Sequence, residues 1–186
     1  MQQNRTNTAK LTGTAIMAAL VIVFDYTIKY AGLKIPFPWY SNLKFDFTGI
    51  PIALSLLMYG FPSATTTSLI AGIGIVMRSG NWVAAGLKTV AEYSTIIGMT
   101  AGLRLGEKLI PGDKTGRISS FLFGIVSRII FMVVANLIVL PNFYGAPLSA
   151  AYALIPTIIV FNIIQGGITV GLGYFLFDSV KQRLEA

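Results

Sequence analysis

The sequence predicts an all-α integral membrane bundle of six transmembrane helices, and three observations predict it. Mean hydropathy is +0.72 over 186 residues. Hydrophobic residues make up 54% of the chain and charged residues only 11%, under half the share usual in soluble domains. The apolar residues fall in successive long runs, and about six spans of roughly 20 residues plus short loops use up the length. The whole of 1–186 reads as a single transmembrane domain.

Residues 1–10 are polar. The first helix follows from Leu11 to about Ala31, too long for the apolar part of a signal peptide and therefore retained. Lys34 to Asp46 holds Pro36, Pro38, Trp39 and Tyr40. Its prolines exclude a helix interior and predict an ordered, aromatic loop. Two short apolar pieces come next, Phe47–Gly60 and Ser63–Met77, separated by Phe61-Pro62. Short segments interrupted by Gly or Pro line cavities in membrane proteins. A polar turn, Arg78–Asn81, leads into the fourth helix, Trp82 to about Leu105. A charged loop from Glu107 to Arg117, with Pro111 and Gly112, precedes the fifth helix, Ile118–Leu140. The sixth runs from Ala150 to about Phe177 with Pro156 near its start, and a polar tail follows.

Six spans put both termini on one side with Arg5, Lys10, Arg104, Lys108, Lys114, Arg117, Lys181 and Arg183. Positive residues favour the cytoplasmic side, so both termini are expected in the cytoplasm of a multi-pass cell-membrane protein. The basic residues are scattered along apolar runs, so the net charge of +7 reads as an orientation signal, not a nucleic-acid arm.

The chain has no Cys and no His. Disulfides, thiol nucleophiles, thiolate zinc sites and imidazole chemistry are therefore excluded. Neither a nucleotide phosphate loop nor a nucleophile elbow is present. A non-catalytic chain without cofactor or metal is expected, and any ATPase must reside on another chain.

Ionisable groups inside a membrane cost about 2.5–3.5 kcal/mol each to insert, so each needs a reason. Asp25 and Lys29 are four apart, as are Lys88 and Glu92, and share a helical face. The first pair reads as structural and the second as part of a ligand site. Arg128 reads as a snorkelling residue. Asn136, Asn162 and Gln165 serve equally well as interhelical hydrogen bonds or as one polar wall. Ala15 and Ala19 provide a small-residue face for close helix approach, internal or to another membrane protein.

Leu43-Lys44-Phe45-Asp46-Phe47-Thr48-Gly49-Ile50-Pro51 resembles the L-K-x-D-F-S-x-I-P signature of the S components of energy-coupling factor (ECF) transporters, most closely the riboflavin-specific branch. Four further segments resemble the family in the same order: Ala91-Glu92 with Ile97-Gly98, Asn136 to Pro141, Pro156 with Phe161 to Gly166, and the Ala15/Ala19 pair. Gly49 stands where Asp is usual, Thr95 where Asn is common and Gln165 where Lys is often found. The resemblance implies a subunit that captures a vitamin, riboflavin foremost, with another vitamin or a modified base as alternatives. It implies a T-type membrane partner, met through Ala15 and Ala19, and two cytoplasmic ATPases. On this reading loop 32–46 is a lid. Lys44, Phe45, Asp46, Trp82, Lys88, Glu92, Asn136, Asn162 and Gln165 contact the ligand, with Phe45 and Trp82 stacking on its ring. A stand-alone secondary transporter coupled through Glu92 is the competing class. A small membrane enzyme or assembly factor lacks the residues it needs.

Overall fold

A computed structural model describes residues 2–109 and 113–185. The chain is almost wholly helical. Its elements are α1 (Gln2–Tyr30), β1 (Ile35–Phe37), β2 (Tyr40–Phe45), α2 (Gly49–Tyr59), α3 (Phe61–Ser79), α4 (Trp82–Leu109), α5 (Asp113–Tyr144), α6 (Leu148–Ala153) and α7 (Ile155–Glu185). Among the described residues three stretches are long and apolar enough to cross a membrane: Asn7–Tyr30, Lys114–Tyr144 and Ile155–Arg183.

Residues 34–46 are not only a loop. They fold into an antiparallel hairpin with Ile35 opposite Phe45 and Pro36 opposite Lys44. The register slips between Pro36 and Phe37, next to a residue that has no N–H to pair. Phe37 anchors the hairpin, with ring contacts to Phe45 at 5.8 Å and to Phe161 of α7 at 5.7 Å.

α2 has 11 residues, about 16 Å at 1.5 Å per residue, half of a hydrocarbon core. Gly49 to Leu56 are all buried, as expected of a helix that is apolar on every side. Val21 of α1, Ile52 and Ala53 of α2, Ile96 and Met99 of α4, and Val170 of α7 form the central core. Gly60, with φ +91°, turns the chain from α2 into α3.

The helix ends shift from the expected boundaries for local reasons. Asn81 caps α4, its Oδ1 accepting from Ala84 N at 2.8 Å, a preferred N-cap residue in its usual bond. The expected charged loop at 107–117 shrinks: α4 runs to Leu109 and α5 begins at Asp113, while 110–112 lie outside the described residues. α5 continues through Pro141 to Tyr144. The expected sixth helix is divided at Leu154, because Pro156 has no N–H to bond back to Tyr152 and fits only in a helix's first turn. The expected polar tail is helical to Glu185.

Candidate functional site

The hairpin, parts of α4, α5 and α7, and Ala146 and Leu154 on either side of α6 line two adjoining chambers. The smaller, about 240 Å³, is lined by Lys44, Asp46, Lys88, Arg128, Asn162 and Gln165 among others. The larger, about 670 Å³, is lined by Tyr40, Asn81, Leu140, Ala146 and Leu154. Asn42, Leu43, Ala84, Leu87, Asn136 and Tyr144 belong to both. Together they have the size of a small-molecule site: apolar walls with a few convergent polar groups.

Four alternating charges form the floor. Asp46 Oδ1 lies 2.6 Å from Lys88 Nζ, and Lys88 Nζ lies 2.8 Å from Glu92 Oε1. Arg128 Nη1 lies 3.2 Å from that same oxygen. Two carboxylates face two cations, so the quartet is neutral. That neutrality and the hydrogen bonds around it offset the cost of burial. Arg128 also donates from Nη1 to Thr95 Oγ1 at 3.1 Å and to Ala91 O at 3.4 Å, and from Nε to Asn162 Oδ1 at 3.1 Å. Asn162 donates in turn to Ile158 O.

This corrects the reading of Arg128. It does not snorkel: only 3% of its side chain is exposed, and it joins α5 to α4 and α7. A charge count could have found it. Asp46 and Glu92 against Lys88 leave one carboxylate uncompensated, and Arg128 is the one cation within the fifth apolar run. A second correction concerns Asp25. It is buried, but its partners are Lys34 at 2.9 Å and Arg78 at 2.7 Å, not Lys29. It therefore ties the start of the hairpin and the end of α3 to α1.

Gln165 holds the hairpin from the other side. Its Nε2 donates to Asp46 O at 2.7 Å, and its Oε1 accepts from Asp46 N at 3.3 Å. Thr48 donates to Asp46 Oδ1 from N at 3.2 Å and from Oγ1 at 2.8 Å. Burial pushes the Asp46 carboxyl up, but the Lys88 ammonium, the hydrogen bonds from Lys88 and Thr48, and Lys34 farther off outweigh it. They hold the group at about 2, below its ordinary 3.8. A carboxyl lowered on folding contributes stability above its unfolded value and loses it as pH falls through the folded one. We expect the chain to lose about 2 kcal/mol between roughly pH 4 and pH 2. Thermal unfolding across that window checks this, and Asp46→Asn should flatten the slope.

Of the nine residues expected at the ligand, Lys44, Asp46, Lys88, Asn136, Asn162 and Gln165 line the smaller chamber. Three stand elsewhere. Glu92 lies beneath it, fully buried, and positions Lys88 and Arg128. Its Oε2 has no hydrogen bond and is packed against Gly49, where an added Cβ would meet it at 2.5 Å and Thr169 Oγ1 at 2.6 Å. Any side chain at 49 would collide with the quartet. Phe45 stacks behind the wall on Phe161, centroids 5.0 Å apart. Trp82 is exposed and meets Phe143 edge-on at 5.4 Å. It lines neither chamber. Ala15 and Ala19 lie on the exposed side of α1 beside Ile16 and Leu20. Among the described residues no group of three or more acidic side chains could hold a metal ion.

No protein-family model and no curated protein matches this chain. Among solved structures, one of the S component of a bacterial ECF transporter is similar over nearly its full length. It covers 97% of this chain and 99% of the other, with a TM-score of 0.78 at 20% identity. The two proteins share a fold. Four of the segments that carry the sequence resemblance border the cavity: the end of β2, the middle of α4, the end of α5 and the first half of α7.

Proposed function

We propose that this chain is the substrate-capture subunit of an ECF-type importer. On this reading it is a non-catalytic protein of the cell membrane that spans the bilayer six times, with both termini in the cytoplasm. It binds a ring-bearing vitamin from outside, riboflavin being the first compound to test on the resemblance of residues 43–51. A T-type membrane subunit and two cytoplasmic ATPases supply the energy.

The observation that carries the proposal is the two-chambered cavity closed by a hairpin that four polar contacts and an aromatic stack fasten down. Membrane-embedded charges are expensive, and here Asp46, Lys88, Glu92 and Arg128 gather at one hollow, while Asp25 with Lys34 and Arg78 forms a separate structural cluster. The shared fold supports the same reading. A proton-coupled carrier finds less support. Glu92, its best carrier, has one oxygen committed to both Lys88 and Arg128 and faces away from the cavity.

Two measurements test the proposal. Purified chain should bind a vitamin from a panel in calorimetry, and bound flavin would show as yellow colour. Vesicles holding the chain with its T-type subunit and ATPases should take the compound up only with ATP. Uptake by the isolated chain that stops when the proton gradient collapses would instead establish the carrier. Ala15→Trp should leave binding unchanged and reduce coupled uptake at least tenfold, because the exposed small-residue face would serve the partner. Loss of binding in that variant would place the face inside the bundle.

A further inference from the structure

The groups around the smaller chamber divide into those committed to one another and those still free. Arg128 donates from Nε and Nη1. Its Nη2 makes no hydrogen bond among the described residues, and Arg128 lines the chamber. Lys88 spends two of its three N–H groups on Asp46 and Glu92. Lys44 is exposed and lines the chamber, with no ion-pair partner among the described residues. On the acceptor side, Asp46 Oδ2 and Asn136 Oδ1 are uncommitted, because Asp46 receives its bonds on Oδ1 and Asn136 uses its amide nitrogen on Met132 O. Glu92 Oε2 is sealed behind Gly49. The free charged donors, on Lys44, Lys88 and Arg128, outnumber the one free charged acceptor, Asp46 Oδ2; Asn42 Oδ1 adds a neutral acceptor.

The charges point the same way. Asp46, Lys88, Glu92 and Arg128 cancel, and Lys44 leaves the chamber one positive charge in excess. The larger chamber adds no charge: its polar groups are Tyr40, Asn42, Asn81, Asn136 and Tyr144.

We infer that the captured molecule carries an acid group, a carboxylate or a phosphate, held in the smaller chamber by Lys44 and the free Nη2 edge of Arg128, while its ring fills the larger chamber. The inference rests on the capture function proposed above. One anion neutralises the excess charge. It also takes charge-assisted hydrogen bonds, roughly twice as strong as neutral ones. A neutral ligand would cover the Arg128 edge without matching it, and an unmatched buried donor is costly. Riboflavin is neutral, so within the flavins the phosphate ester is the favoured form.

Matched pairs isolate the acid group from the ring. The full chain in detergent is titrated with riboflavin against riboflavin 5′-phosphate, and with biotin against biotin amide. Whatever co-purifies from the membrane is extracted and identified by mass. The acid of at least one pair should bind tenfold or more tightly than its neutral mate, the pair showing which acid is taken. That preference should fall below threefold in Lys44→Gln, which lies on the exposed hairpin and leaves the core intact, and persist in Lys44→Arg. Equal or weaker binding of the acid in both pairs, or a neutral co-purified ligand, overturns the inference and leaves the capture function standing. If nothing binds and nothing co-purifies, the capture function falls and the inference with it.

Discussion

Arg128→Ala should unfold the protein more readily than any other single truncation around the cavity. Removing one partner of a buried ion pair costs about 3–5 kcal/mol, because the other charge stays buried and unmatched. Here the loss is compounded. Thr95 Oγ1, Ala91 O and Asn162 Oδ1 all give up a donor with the guanidinium, and the contact it makes between α4, α5 and α7 goes with them. Lys88 still faces Glu92 at 2.8 Å, which places the expectation near the lower end, about 3 kcal/mol. Thermal unfolding in detergent would read this as a drop of many degrees. The double variant Arg128→Met with Glu92→Gln should regain most of the lost stability, since a neutral pair of similar volume replaces buried charges at little cost. Ligand binding should stay lost in the double variant. If Arg128→Ala melts within a degree of the parent, the guanidinium is solvated and the quartet does not exist as described.

The helical bundle is legible in the sequence because its signal is repeated: apolar runs of spanning length recur, with prolines and polar turns between them. The hairpin is not, because its strands contain Pro36 and alternate weakly, and it is held by contacts to Phe161 and Gln165, more than 100 residues away. Local pattern carries no information about such partners. The site divides the same way. Lys88 and Glu92 announce themselves by their spacing on one face. Arg128 acquires its meaning only from the charges opposite it on α4, and taken alone it reads as a residue reaching for the surface. For Asp25 the reason is the opposite: Lys29 lies at helical spacing, but nearer in sequence is not nearer in space once Arg78 packs against α1. Trp82, an aromatic expected to stack on the ligand's ring, lies outside both chambers, in edge contact with Phe143.

A glycine stripe supplies the second large effect, and it explains why the quartet's members meet. Gly98, Gly102 and Gly106 recur every fourth residue on α4, the spacing that lets helices approach closely in a membrane. At Gly98 an added Cβ would run into Phe123 O, and at Gly102 into Ser119 O. At Gly106 it would meet Gly116 Cα at 2.8 Å. These obstacles are backbone atoms of α5, so no rotamer change can relieve them and the helices must separate. Arg128 and Glu92 sit on these same two helices, and any separation lengthens their 3.2 Å contact. Gly102→Ala should therefore destabilise the chain by about 3 kcal/mol, the upper range for overpacking, and Gly98→Val by more. Both should weaken ligand binding although neither residue lines the cavity. Gly86 on α4 and Gly167 on α7 provide the contrast, because an added Cβ there meets nothing within 4 Å. Replacing either with Ala should raise stability by about 0.5–1 kcal/mol, the usual gain in a helix interior. Opposite signs for the same chemical change, separated only by what lies across the helix interface, are the expected result in paired unfolding measurements. A gain of stability at Gly102 like that at Gly86 and Gly167 would mean that α4 and α5 do not touch along this stripe.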